Sequence, residues 1–160
     1  MKTIVFKMNN GFITSLRYQS HLYVIIHNDF LYIGETGSHP AIRWGSHLSK
    51  SGTFVQNLKY FHDEVLDIEK DIFFSSYELS MVEDEPCSKR KLARMAVETE
   101  LHKLVCLQPN KFGFESFITS RYEEYPVRHG FNFKPAEVAN HIFDRVVNDY
   151  NNWAISVSTV

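Results

Sequence analysis

The first half of the chain consists of short apolar runs separated by polar turn residues, a pattern typical of β-strands. Five runs predict strands, at residues 3–6, 12–16, 21–27, 30–34 and 70–80. Asn9-Asn10-Gly11 lies between the first two runs, and Asn28-Asp29 lies between the next two. Such turn residues favour tight connections, so we expect two hairpins of apolar strands.

Apolar residues at helical spacing predict four helices. They cover about residues 40–49, residues 53 to about 65, residues 88–107, and the segment from Pro135 onward. Pro40 suits the first turn of its helix, where an N–H is not needed, and Thr53 is expected to cap the second helix. Pro109 ends the third helix, which is apolar on most sides and is therefore expected to lie centrally.

From the second hairpin onward the order is β-β-α-α-β-α, with extensions on both sides, which predicts an α+β fold with helices packed against a small antiparallel sheet. A chain of 160 residues can bury one substantial core. No internal repeat or linker divides it, so we predict a single domain over 1–160, with a core at about 21–112 and an extension at 113–160.

Composition narrows the class of protein. Hydrophobic residues make up 44% and charged residues 22% of the chain, as in a globular domain. Two distant cysteines, Cys87 and Cys106, provide neither a disulfide framework nor a zinc-binding spacing. No apolar run approaches the roughly 20 residues that a membrane helix needs, and the first residues do not resemble a signal peptide. These features predict a cytoplasmic protein without a membrane partner.

Two tyrosine motifs follow each other in the second predicted hairpin. Tyr23-Val24-Ile25 lies on its first strand, and Tyr32-Ile33-Gly34-Glu35-Thr36 begins on its second. Arg43 and His47 follow on the next helix, and Asn110 follows the long helix. Over roughly residues 21–112, this order resembles the GIY-YIG nucleases. The most specific part is the YIG-x-T element followed by R-x-x-x-H.

The resemblance has two departures in the first motif. The sequence reads His21-Leu22-Tyr23, so the family's usual glycine and isoleucine are replaced. The loop between the two tyrosines is also shorter than usual. Tyr23 and the complete YIG element are retained, which affects the expected strand register more than the expected chemistry.

The resemblance implies cleavage of DNA phosphodiester bonds, which requires an activated water and stabilisation of charge on the phosphoryl oxygens. Arg43 provides a planar, permanently charged fork for two phosphate oxygens. His47 lies four residues later on the same helix face and can transfer a proton. The resemblance assigns Tyr23 to activating the water or relaying its proton. It assigns Tyr32 to orienting water or phosphate, and Asn110 to contacting phosphate or supporting the site.

The resemblance also implies a single divalent metal held by a glutamate of the long helix. Glu98 and Glu100 are both candidates, and we favour Glu98 for its spacing to Asn110. Mg²⁺ or Mn²⁺ suits one carboxylate supplemented by waters and substrate phosphate. The alternative for Glu98 is a surface ion pair with Arg94, its neighbour one turn earlier.

The net charge of the chain is −2, which limits how it could bind DNA. Proteins that bind DNA without sequence preference are usually basic, so any binding face here is expected to be local. The densest basic run is Lys89-Arg90-Lys91 followed by Arg94, at the start of the long helix. We predict that it contacts phosphates, although a solvated helix start has the same pattern. Cutting both strands would also be compatible with a homodimer.

Two further hypotheses remain open at this point. The first is a nucleic-acid-binding module that retains the nuclease fold without catalysis, as the altered first motif and the acidic balance would allow. The second is an α+β interaction protein, in which Arg43, His47 and Glu98 would lie on different faces. Phe143, Tyr150 and Trp153 of the last helix could equally serve the core, a dimer interface or DNA contacts.

Overall fold

A computed structural model of the chain describes residues 6–8, 19–67, 69–121 and 130–158. Five strands form one sheet: β1 (Phe6–Met8), β2 (His21–His27), β3 (Phe30–Thr36), β4 (Phe73–Glu78) and β5 (Phe117–Ile118). Their order across the sheet is β1-β4-β2-β3-β5. The five helices of the described ranges are α1 (Pro40–Leu48), α2 (Thr53–His62), α3 (Ser80–Glu83), α4 (Cys87–Leu107) and α5 (Pro135–Ser158).

The β2–β3 hairpin forms as its turn residues predict. Asn28 adopts a φ of 52°, a left-handed conformation that asparagine tolerates better than most residues. The hairpin pairs His21 with Thr36 at one end and His27 with Phe30 at the other. On its other side β2 pairs with β4, again antiparallel. These three strands are the centre of the sheet.

The sheet is mixed, whereas the sequence predicted an antiparallel one. β1 pairs with β4 in parallel, and β5 pairs with β3 in parallel. Parallel neighbours require a connection that crosses back over the sheet, and the sequence pattern of a short strand does not reveal which edge it will join. The predicted hairpin at 3–6 and 12–16 lies almost entirely outside the described residues, of which only β1 belongs to it.

Alternating side chains of the central strands enter two separate cores, as the two-residue period of a strand requires. Leu22, Val24 and Ile26 pack with α4 and α5 on one face. Tyr23 and Ile25 point to the other face, where α1 and α2 cover them. The sheet thus lies between two helical layers.

The four predicted helices agree with α1, α2, α4 and α5 within a few residues, and the short helix α3 was not predicted. The predicted N-cap of α2, Thr53, was wrong, because Gly52 is the N-cap and Thr53 is the first helical residue. A Cβ on Gly52 would lie 2.2 Å from the carbonyl oxygen of His47, so a side chain does not fit there. The α2 helix ends at His62, before Val65, because Asp63 turns left-handed with a φ of 53°.

The C-terminal helix belongs to the core. Phe143 is 2% exposed, and Tyr150 and Trp153 both pack against Phe73 of β4 at ring-centroid distances of 5.5 Å. Of the three roles left open for these aromatics, the structure supports the core. No helix within the described ranges is long and apolar enough to cross a membrane.

Candidate active site

The hydroxyl of Tyr23 and the imidazole of His47 form the centre of the site. Tyr23 Oη lies 2.6 Å from His47 Nε2, joining the middle of β2 to the last turn of α1. Both residues are almost entirely enclosed, with exposed fractions of 1% and 2%. Burial, followed by the nearby charge of Arg43, lowers the pKa of His47 to about 4. His47 is therefore neutral at neutral pH and holds only one ring proton.

Arg43 joins this pair from one turn earlier on α1. Its guanidinium interacts with the Tyr23 hydroxyl, and this interaction raises the pKa of Arg43. Burial raises the pKa of Tyr23 to about 12, and the contact with Arg43 opposes that rise. A guanidinium can only donate, so in its interaction with Arg43 the Tyr23 oxygen is the acceptor, and the Tyr23 proton is then available to His47 Nε2. Arg43 is the solvent-exposed member of the three.

Tyr32 lies beside this group on the neighbouring strand. Its ring stacks nearly parallel to that of Tyr23, with centroids 6.4 Å apart, and its centroid lies 4.4 Å from that of His47. Burial raises the pKa of Tyr32, and the charges of Tyr23 and Glu98 add to the effect. Tyr32 therefore remains a neutral hydrogen-bonding group at any physiological pH.

Glu98 approaches the tyrosines from α4. Burial raises the pKa of Glu98 to about 8; the charge of Glu35 contributes in the same direction and that of Arg43 opposes it. Glu98 also acts on the pKa values of Tyr23 and Tyr32. Glu98 therefore interacts electrostatically with both tyrosines and with Arg43. The helix that carries Glu98, α4, contacts β3, the strand that carries Tyr32.

Glu100, the alternative metal ligand, has a different environment. Its carboxylate accepts a hydrogen bond from Lys103 Nζ at 2.9 Å, an ion pair one turn apart on α4. Two residues correspond to about 200° of rotation around a helix, so Glu98 and Glu100 project from nearly opposite sides of α4. Of these two glutamates, Glu98 is the one whose charge acts on the pKa values of Tyr23 and Tyr32.

Asn110 is not brought to this group by any contact among the described residues. It lies in a 3-10 turn, Pro109–Phe112, whose Phe112 is buried in the core of the opposite sheet face. Asn110 is exposed, and its carbonyl oxygen accepts from the N–H of Gly113, which has a φ of 84°. This backbone contact is one that an ordinary turn residue makes.

The four basic residues of the predicted DNA-binding run have different environments. Arg94 pairs with Glu35 and donates to Ser20 Oγ, and its side chain is only 14% exposed. Arg90 pairs with Glu83 at 2.7 Å. Lys89 Nζ donates to the carbonyl of Gly130, and Lys91 is exposed. Of the four, Lys91 is the most accessible to phosphate, whereas Arg94 holds Glu35 beside the site.

The packing roles of two residues were not predicted from the sequence. The first is Gly34, whose missing side chain makes room for Tyr23: a Cβ there would lie 2.3 Å from Tyr23 Oη. The second is His102, which is fully buried between α4 and the segment after β5. Its Nδ1 contacts the carbonyl oxygen of Glu98, and its Nε2 lies 2.7 Å from Ser120 Oγ. The strand pairing could have indicated Gly34, but no sequence pattern indicates His102.

The donor set limits which metal the site can hold. Among the described residues, no group of three or more histidine, cysteine, aspartate or glutamate side chains gathers around one point. Glu98 and Glu35 both act on the pKa of Tyr23, and the pKa of Glu98 is raised first by burial and then by repulsion from Glu35. A divalent cation would relieve that repulsion. Mg²⁺ usually keeps several waters and takes substrate phosphate, so it requires only one or two protein carboxylates.

Comparison of the chain with protein-family models, with characterised proteins and with solved structures found no significant match.

Proposed function

We propose that this chain is a metal-dependent DNA endonuclease that hydrolyses phosphodiester bonds, with a GIY-YIG-like site. The observation that carries the proposal is the hydrogen bond between Tyr23 and His47, with Arg43 and Glu98 beside it. Three elements, β2, α1 and α4, contribute to this one place. An interaction protein with a coincidental motif gives no reason for these residue types to meet.

In the proposed reaction, water loses a proton to the Tyr23 oxygen while the Tyr23 proton moves to His47 Nε2. The water oxygen forms a bond to phosphorus as the bond to the leaving oxygen breaks, and the leaving oxygen takes a proton from solvent. Neutral His47 can accept that proton, and Arg43 stabilises negative charge on Tyr23 during the transfer. The exposed Arg43 fork also binds the phosphoryl oxygens, on which charge increases in the transition state. The Tyr32 hydroxyl donates a hydrogen bond that orients the water or the phosphate.

Glu98, assisted by Glu35, would hold a Mg²⁺ ion. When bound, this ion would supply charge stabilisation at the phosphoryl and leaving oxygens. A carboxylate with a pKa near 8 is protonated in part at neutral pH, so ion binding has to displace that proton. Cutting both strands of a duplex would further require two such sites, which a homodimer would provide.

The test is incubation of purified protein with plasmid and phage DNA, with Mg²⁺ or with EDTA. We expect metal-dependent fragments from the natural chain, and none from Glu98→Gln or Arg43→Ala. Glu100→Gln is the matched control for the first variant, because Glu100 lies two residues away in a surface ion pair. Cleavage that persists in both Glu98→Gln and Arg43→Ala would refute the assignment.

A second candidate is a nucleic-acid-binding module without catalysis. The enclosure of Tyr23 and His47 favours it, since groups that are 1% and 2% exposed meet a substrate only after a rearrangement. This candidate predicts salt-sensitive DNA binding and no cleavage with any divalent metal. Binding that is absent even at low salt would exclude it.

A further inference from the structure

A cleft of about 440 Å³ opens beside the candidate active site. It lies between α2 and the segment after β5, and its walls include Tyr32, Gln56, Asn57, Tyr60, Phe61 and Arg121. Sites for small ligands typically enclose roughly 300–1,000 Å³, so this cleft is large enough for one. Tyr32 belongs both to this wall and to the group around Tyr23, so the cleft adjoins the proposed site of cleavage.

Aromatic rings form the outer wall of the cleft. Tyr60 and Phe61 are neighbours on α2, and their side chains are 84% and 48% exposed. Their rings meet edge to face, with centroids 6.0 Å apart. The buried face of α2 consists of Phe54 and Leu58, so packing of the helix does not require either exposed ring. Exposed aromatic faces of this kind are what nucleobases stack on.

The polar groups of the cleft suit the rest of a nucleotide. The Arg121 guanidinium lies 4.9 Å from the centre of the Phe61 ring, which holds a permanent cation at the wall. Asn57 Nδ2 donates to the carbonyl of Thr119, and Gln56 Nε2 donates to that of Lys50. These bonds hold both side-chain amides in place through their NH2 groups. The oxygen of each amide is then an acceptor for the amino group of a base.

We propose that this cleft binds an unpaired nucleobase of the substrate strand, stacked on Tyr60, with Arg121 contacting an adjoining phosphate. The inference rests on the proposed action on nucleic acid and specifies the substrate further. A base inside a duplex is covered on both faces by its neighbours, so it must leave the stack to reach an aromatic side chain. The preferred substrate is therefore a strand with at least one unpaired base near the cleaved bond.

The first test measures binding, in EDTA, of a fluorescent thymine-rich single strand and of the matched blunt duplex. We expect tighter binding of the single strand. Tyr60→Ala should weaken it by roughly 5- to 150-fold, the loss expected from one stacked base. Tyr60→Phe keeps the ring and should remain within about threefold of the natural chain. Leu107→Ala, at a 78% exposed position at the end of α4, is the control for loss of a surface hydrophobe.

The second test locates the base. A single strand carrying iodouracil should photo-crosslink to the peptide that contains Tyr60 and Phe61. Arg121→Ala should reduce the dependence of log affinity on log salt by about 0.7, the value for one phosphate contact to a single strand. Affinity within about twofold in Tyr60→Ala, or a crosslink only to other peptides, would overturn the inference.

These outcomes separate the inference from the proposed function, because binding in EDTA does not require cleavage. Tyr60-dependent binding by a chain that cuts no DNA would support the cleft and refute the endonuclease. Cleavage that is unaffected by Tyr60→Ala, together with unchanged affinity, would overturn the cleft and support the endonuclease. Absence of single-strand binding by the natural chain would overturn the cleft, and the plasmid experiment would still decide the endonuclease.

Discussion

The phenol ring of Tyr23 lies directly over Gly34, its partner on the neighbouring strand. The two residues face each other in the β2–β3 pairing. A Cβ on Gly34 would be 2.3 Å from Tyr23 Oη and 2.4 Å from Cζ, far inside van der Waals contact. The glycine of the second motif thus provides the space that the tyrosine of the first motif occupies. This relationship determines where the hydroxyl can meet His47 and Arg43.

Gly34→Ala should therefore displace the Tyr23 ring and destabilise the fold. Inserting a methyl group into such a packed position costs about 1–3 kcal/mol, and cleavage should fall as the hydroxyl leaves His47. Gly45→Ala is the matched control, because Gly45 lies in α1 and a Cβ added there would have no atom within 4 Å. That change should stabilise the chain by about 0.4–1 kcal/mol. Thermal unfolding of both variants measures the contrast.

Tyr23→Phe should separate packing from chemistry, since it keeps the ring over Gly34 and removes only the hydroxyl. We expect cleavage to fall by about 10²–10⁴-fold, the usual contribution of a positioned proton-transfer group. Leaving His47 Nε2 unpaired should also cost about 1–3 kcal/mol of stability.

The control for this variant is Tyr77→Phe. Tyr77 is also fully buried, and its hydroxyl donates to Asp149 at 3.1 Å in the core of the opposite sheet face. Its loss should lower stability and leave the cleavage rate of the folded fraction unchanged. Equal cleavage rates for Tyr23→Phe and Tyr77→Phe would contradict the role of Tyr23.

The pH dependence of stability should show the cost of keeping Glu98 beside the tyrosines. Its pKa is raised from 4.5 to about 8, so the folded chain binds more protons than the unfolded chain between those values. The contribution of Glu98 to the free energy of unfolding is therefore greatest below about pH 4.5 and is lost as pH rises through 8. His47 and His102 act oppositely: with pKa values lowered from 6.5 to about 4, they reduce stability as pH falls through that range.

Glu98→Gln removes the first contribution and leaves the two histidines. In EDTA, its stability relative to the natural chain should rise between about pH 4.5 and 8, by an amount on the order of a few kcal/mol, and then level off. Urea unfolding across this range measures the difference. Parallel curves for the two chains would mean that the Glu98 carboxylate is not buried beside the tyrosines.

Two residues of the basic run at the start of α4, Lys91 and Arg94, should have different functions. Lys91→Ala should weaken DNA binding and reduce the salt slope by about 0.9, the value for one phosphate contact on duplex DNA. Arg94→Ala should lower stability, because it leaves Glu35 without its partner. Affinity measured over a salt series, beside thermal unfolding, distinguishes the two effects. If Arg94→Ala instead reduces the salt slope by about 0.9 and leaves stability unchanged, Arg94 contacts DNA.

The local elements of this protein could be predicted from the order of its residues alone. The apolar runs around Asn28-Asp29 specify a hairpin, because strand period and turn chemistry depend only on near neighbours. Pro40 and Pro109 mark a helix start and a helix end for the same reason. The spacing of Arg43 and His47 also placed them on one face of α1, since that relation lies within one helical turn.

How these elements meet became clear only in the folded chain. Arg94 and Glu35 are 59 residues apart, and their pairing depends on how α4 lies along β3. The choice between Glu98 and Glu100 likewise depends on the rotation of α4 about its own axis, which the weakly one-sided apolar pattern of that helix left open. The parallel edge strands and the buried contact of His102 with Ser120 follow from the same packing. Contacts between distant segments are set by the packing of whole surfaces, and a local pattern does not encode that packing.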